Sequence, residues 1–315
     1  MCGKCSIQHF FSSPGGPLSL SSSLENRGFL CFNAAMWISR KVLSAKRGIK
    51  KWSAVFRIGL IQGLAFRAET FLWIILDIFP TFILIASWLA VFHGKTTVGG
   101  QSLSQLIIYY LAVLIIINLA EVHFEERWVE NVRYGKIDYY FVKPISLPTY
   151  IIVQALGSKL MTFVTFLLPF LALMFGLIHT GLITGFTFTF SKLFVFLAFL
   201  LLAFIFDSIL SFFVVFAAFW MDEASSIGHF KWMVTGIFGG TLAPLTFYPQ
   251  WIQKIAAFLP FKLALSTPAQ LLARNSVLQS DLRELGLFFV YVVVCLFIIR
   301  FMWKHAQYKY TSAGG

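Results

Sequence analysis

The chain has 315 residues, of which 58% are hydrophobic, 18% aromatic and only 12% charged, and its mean hydropathy is +0.80. Soluble domains carry about a quarter charged residues, so a soluble fold is excluded, and the lack of alternating ~10-residue segments excludes an outer-membrane barrel. The net charge of +12 does not point to nucleic acid, because most of the excess lies in the first 70 residues and at loop ends, where membrane topology accounts for it.

Residues 1–45 are Ser-rich, contain Pro14, Gly15, Gly16 and Pro17, and hold a single acidic residue, Glu25. They lack the apolar core of a secretory signal. The segment reads as a disordered or non-native extension, with an organellar transit peptide as the lesser alternative. MWISRKVLSAKRGIKKW opens at Met36 as a basic cytoplasmic start, which makes Met36 the expected first residue of the native chain. Cys2 and Cys5 form a lone C-x-x-C without a second pair or a His partner. With Cys31 and Cys295 they read as incidental thiols on a reducing side.

The membrane domain is expected over residues 46–310. From Trp52 the pattern turns helical: Trp52, Val55, Phe56, Gly59, Leu60, Gly63 and Leu64 share one face, with Arg57 and Gln62 elsewhere. Lys46, Arg47, Lys50 and Lys51 lie just upstream. This predicts an amphipathic helix at the cytoplasmic surface; a plain extension of the first span is the alternative.

Six apolar stretches follow, at about 71–92, 103–121, 149–178, 192–220, 232–248 and 285–303. Each approaches or exceeds the ~20 residues of a membrane-crossing helix, so the fold class is all-α and polytopic. The fifth is short, and Gly236 and Gly240 in it form a small-xxx-small pair suited to close helix packing. Its length leaves a re-entrant hairpin open. With both termini inside, eighteen Lys/Arg fall on the cytoplasmic side and six outside, and Lys159 lies within a span. Cytoplasmic loops carry the basic excess, so both termini are expected in the cytoplasm.

This topology puts RYGKIDYYFVKPIS, residues 133–146, in the cytoplasm. The second span runs on as HFEERWVENVRY, with Gly135 as the helix stop. KIDYYFVKP then makes one or two amphipathic turns before Pro144 and Pro148 open the next span. The result is a protruding knob. Helix connections are usually short, so the knob is either a docking surface or a solvated elbow.

Arg133, Gly135, Asp138, Lys143, Pro144, Ile145 and Ser146 match a pattern found in permease subunits of the ABC-2 type exporter superfamily, Arg-x-Gly-x-x-Asp-x-x-hydrophobic-x-[Arg/Lys]-Pro-[Leu/Ile]-Ser. FWMDEASSIGHF (219–230) is similar to that family's Phe-Trp element at the end of the fourth span. TLAPLTFYPQWIQKIAAFLPFKLALSTPAQLL (241–272) resembles its Pro-rich segment after the fifth, with Pro244, Pro249, Trp251, Pro260, Phe261 and Pro268 in place. The resemblance covers roughly residues 50–305.

It implies an exporter permease of six transmembrane helices with an N-terminal interface helix. In such a permease Arg133, Gly135, Lys136, Asp138, Tyr139, Tyr140, Phe141, Lys143 and Pro144 lie in the coupling helix that meets a separate ATP-binding cassette ATPase. It also implies a second permease copy or a sister permease, and ATP and Mg bound by the partner ATPase rather than by this chain. The setting implied is the cytoplasmic (inner) membrane of a bacterium, and the substrate a hydrophobic or amphipathic compound. Residues 249–283 are expected to form short helices at the external face, since their prolines interrupt a continuous helix.

No G-x-x-x-x-G-K-[ST] occurs, nor G-x-S-x-G nor H-E-x-x-H, and the six histidines are scattered. The chain therefore reads as a permease without its own catalytic site. An ion-coupled secondary transporter is the alternative, although only one Gly/Pro-interrupted span is visible where matched repeats would show two. A membrane-embedded lipid-modifying enzyme fits less well, for want of clustered acids or histidines at a membrane face. Asp77, Glu121, Lys159 and Asp207 lie in or near apolar stretches, where ionisable groups are costly and turn toward the bundle interior. Asp77 and Lys159 fall about 9 Å and about 15 Å from the cytoplasmic starts of their spans at helical rise, which favours a structural pair over transport chemistry. Asp207 has no evident partner: it either lines a translocation path or is protonated and capped by Ser208 or a neighbouring hydroxyl.

Overall fold

The computed structural model describes residues 48–143, 145–183, 189–221, 223–274 and 276–309. The expectations for residues 1–45, for the start at Met36 and for Pro144 lie outside them. The chain divides into two units after Ser53, and the larger begins at Ala54.

Helix α1 (residues 48–65) leads through the single residue Phe66 into α2 (Arg67–Val91). Next come α3 (Leu103–Ala120), α4 (Glu125–Arg133), α5 (Asp138–Phe141) and α6 (Leu147–His179). The C-terminal half holds α7 (Phe190–Ala217), α8 (Ser225–Gly239), a 3₁₀ turn at Leu245–Phe247, α9 (Gln250–Phe258), α10 (Phe261–Ala264), α11 (Ser266–Ala273) and α12 (Gln279–Lys309).

Among the described residues, five helical stretches are long and apolar enough to cross a membrane: α2, α3 with α4, α6, α7 and α12. The stretch expected as a fifth span over 232–248 is different. Its helix, α8, has 15 residues, too few for a ~30 Å hydrocarbon core at 1.5 Å per residue. It ends at Gly240, whose φ of +83° closes it in the left-handed region open to glycine.

Helix α3 is the hub. Ser102 and Gln105 start it with a reciprocal capping box. Twelve of its eighteen residues are buried, as befits a helix apolar all round, and α2, α6, α7 and α11 pack on it. Its tyrosines also hold the end of α8: Tyr109 Oη donates to the Gly240 carbonyl at 2.7 Å and Tyr110 Oη to that of Leu242 at 3.0 Å.

The prolines after α8 act as expected. Pro249 and Pro260 sit at the N-caps of α9 and α10, and Pro268 lies in the first turn of α11, where a missing N–H costs nothing. These short helices do not stay at one end of the bundle, however. Leu263, Ala264, Leu265, Ala269 and Leu271 are buried, α11 runs along α3, and Ala264 and Leu265 line a cavity with Glu121 and Asp207. The apolar run FKLALSTPAQLL supplies enough side chain to fill the interior, so the segment re-enters the bundle.

The glycines that allow close helix contact are not the pair singled out from sequence. A Cβ on Gly236 would meet no atom within 4 Å. Instead, a Cβ on Gly59 would overlap the Gln154 carbonyl, and one on Gly157 would overlap that of Phe56, so α1 and α6 cross backbone to backbone. The predicted face of α1 is largely the packed one, with Val55 and Gly59 buried. Leu64 is exposed, while Gln62 turns inward and its Oε1 accepts from Gln154 Nε2 at 2.7 Å.

Candidate functional site

Two features stand out: the knob between α4 and α6, and a polar break at the end of α3.

In the knob, Gly135 has φ +68° and stops α4 as its sequence predicts. Ile137 beneath it is fully buried. Tyr140 turns inward, its ring 5.1 Å from that of Trp128 and 5.0 Å from that of Tyr150. Burial, reinforced by the Tyr150 phenol, pushes the Tyr140 hydroxyl up to about 12. Phe141 stacks at 6.2 Å on Trp303 of α12. The opposite surface carries Tyr134 and Tyr139, each 61% exposed, and Val142, 85% exposed. Lys143 Nζ stands 3.4 Å over the Tyr139 ring, and Arg133 and Lys136 flank that of Tyr134 at 6.0 and 5.4 Å. Asp138 opens α5. The sequence-predicted coupling residues thus separate into a root held by ring contacts, Tyr140 and Phe141, and an exposed aromatic ledge edged with cations.

The break occupies residues 121–124, between α3 and α4; the second span does not run on unbroken as its sequence suggested. Lysines from both sides approach the freed carbonyls at the end of α3, where the helix dipole favours cations. From α6, Lys159 Nζ donates to the Asn118 carbonyl at 2.9 Å. From α8, Lys231 Nζ donates to the Val122 carbonyl at 3.3 Å and to Ser211 Oγ at 2.8 Å. Lys231 also pairs with Glu125 Oε1 at 2.9 Å and Asp207 Oδ1 at 3.3 Å, and all three side chains are no more than 9% exposed. Asp207 Oδ2 accepts the Val122 N–H at 2.7 Å.

These contacts correct one expectation and refine another. Asp207 has partners, Lys231 and the Val122 N–H, whereas Ser208 donates to Phe204 of its own helix at 2.7 Å. Asp77 and Lys159 form no salt bridge among the described residues: the Asp77 carboxyl faces Lys159 and the Asn118 side chain, while the ammonium is hydrogen-bonded to the Asn118 carbonyl. Lys231 and Glu125 escaped sequence reasoning because each sits at the edge of an apolar run, where a charge passes for a loop residue. Behind Asp207 lies a cavity of about 20 Å³ that also touches Glu121 and Thr235, room for about one water. On the other side of the break a larger cavity, about 360 Å³, opens between His123, Arg127 and α6.

Five crossing-length apolar helices among the described residues mark a multi-pass membrane protein. A family model described as ABC-2 family transporter protein matches residues 78–314. The chain belongs to that family, whose members are the membrane permease components of ABC transporters and normally work with an ATP-binding subunit. The match begins within α2, so α1 lies before it. Searches of curated proteins and of solved structures found no match.

Proposed function

We propose that this chain is the membrane-spanning subunit of an ATP-driven exporter, docking a separate ATPase through residues 123–146 and carrying a hydrophobic or amphipathic substrate. The observation that carries the docking is the knob's division of labour. Tyr140 and Phe141 root it in Trp128, Tyr150 and Trp303, so Tyr139, Tyr134 and Val142 are presented outward on a rigid base. Exposed aromatic and apolar side chains with neighbouring cations, on a base that loses little entropy when bound, are what a protein partner grips. In this reading a second permease copy or a sister permease completes the membrane half, the ATPase binds ATP and Mg, and both termini lie in the cytoplasm at a bacterial inner membrane.

The test uses the full chain purified in mild detergent from its native membrane, with retained ATP hydrolysis as the readout. The double variant Tyr139→Ala, Val142→Asp removes exposed groups only, so the bundle should melt as before. Retained ATPase should fall roughly thirtyfold, the loss of about 2 kcal/mol typical of an interface anchor. Undiminished retention overturns the docking assignment. So does labelling of a Tyr139→Cys variant by an impermeant maleimide added to intact cells.

A further inference from the structure

The larger cavity beside the α3 break carries a site that the exposed ledge of the knob (Tyr134, Tyr139, Val142) does not reach. Its polar lining is Lys159, Ser158 and Thr162 from α6 with His123 and Arg127 from the break and α4, and no carboxylate is among its described lining residues. Lys159 spends one of its three N–H groups on the Asn118 carbonyl. Arg127 makes one long contact, 3.4 Å, to the neutral Gln62 Oε1. Neither forms a salt bridge among the described residues, and the His123 ring has no hydrogen bond there. The acids nearest Lys159, namely Glu121, Asp207 and Asp77, do not line the cavity. Phe124, Ile151 and Ala155 make up its apolar wall.

A cation beside apolar surface is costly to hold without a counter-charge, and this cavity gathers two on a wall that holds none, the acids near Lys159 lying behind it. Its volume of about 360 Å³ corresponds to roughly ten waters, enough for a tetrahedral oxyanion and part of what is attached to it. A forked guanidinium and a point-charge ammonium lining one cavity, with two hydroxyls on the same wall, are donor chemistry suited to phosphate.

We infer that the cleft between the α3–α4 break and α6 binds a phosphate-type anion, held by Lys159 and Arg127, with an attached apolar chain running against Phe124, Ile151 and Ala155. The anion is supplied either by an acidic lipid headgroup or by a free phosphate. The site stands whether or not the chain exports anything, because it rests on the lining alone.

The experiment follows the thermal unfolding midpoint of the full-length protein in detergent. Phosphatidylglycerol is added in one arm, phosphatidylcholine in a second, and inorganic phosphate against chloride at matched ionic strength in a third. Phosphatidylglycerol should raise the midpoint saturably where phosphatidylcholine does not. The apparent affinity should weaken at least tenfold in Arg127→Glu and in Ala155→Phe, which fills the cavity without altering charge. Arg300→Glu, an equal charge change on α12, should keep the effect. A rise with inorganic phosphate instead, lost in the same two variants, upholds the site and assigns it to a free anion. Should Arg127→Glu fail to fold, Arg127→Gln takes its place. The inference is overturned by no rise with either anion, by an equal rise with phosphatidylcholine, by a rise that survives Arg127→Glu and Ala155→Phe, or by its loss in Arg300→Glu.

Discussion

Two lysines reach the same helix end from opposite flanks, and their surroundings differ sharply. On the α8 flank Lys231 is enclosed with Glu125, Asp207 and Ser211, and the space behind them holds about one water. On the α6 flank Lys159 has a single carbonyl partner and opens on a cavity of about 360 Å³ that no described carboxylate lines. The lesson is that the position of a charge in an apolar span does not reveal its role. A lysine ion-paired to two carboxylates fastens helices together, whereas one that makes no salt bridge and borders open space has bonding capacity to spare.

That contrast breaks down if the two lysines prove equally costly to remove. Lys231→Met should have the largest effect, because it leaves two buried carboxylates without their cation. Breaking a buried ion pair from one side costs about 3–5 kcal/mol, read as a much lower unfolding midpoint in detergent and little folded protein in the membrane. Gly157→Ala comes next. Its Cβ meets backbone, not a flexible side chain, and overpacking of this kind costs about 1–3 kcal/mol. It also shifts the α6 wall, so it should weaken anion binding on the open flank while leaving the Lys231 cluster intact. Lys159→Met should cost least, about 1 kcal/mol for one net hydrogen bond, measured by the same unfolding midpoint, because water in the cavity can reach the Asn118 carbonyl in place of the ammonium.

Much of this was legible in the sequence wherever the signal is local. Apolar runs placed α2, α3, α6 and α7 to within about four residues, whereas α12 (Gln279–Lys309) extends six residues beyond its apolar run of 285–303 at each end. Gly135 marked the end of α4, and the prolines at 249 and 260 marked the starts of α9 and α10. Where contacts join distant segments, reading failed. Lys231 and Asp207 are 24 residues apart and Gly59 and Gly157 are 98 apart, and no periodicity links either pair. Gly236 and Gly240 fitted a packing pattern that many helices carry, yet one glycine is open and the other is a left-handed turn. The stretch 232–248 scored as a span because hydropathy counts apolar residues without asking whether one helix contains them all. The exposed ledge of the knob was visible as aromatic residues among charges, but only the structure separates Tyr139, facing out, from Tyr140, facing in.

Trp303 has a mechanical consequence. Its indole lies 4.9 Å from the Phe216 ring, 6.4 Å from that of Phe219 and 6.2 Å from that of Phe141, so the foot of α7 and the end of α5 bear on one plate. Close-packed interiors are stiff and pass displacement on rather than absorb it. A displacement of α5 would therefore bear on α12 and the foot of α7 at once, through the one indole they share.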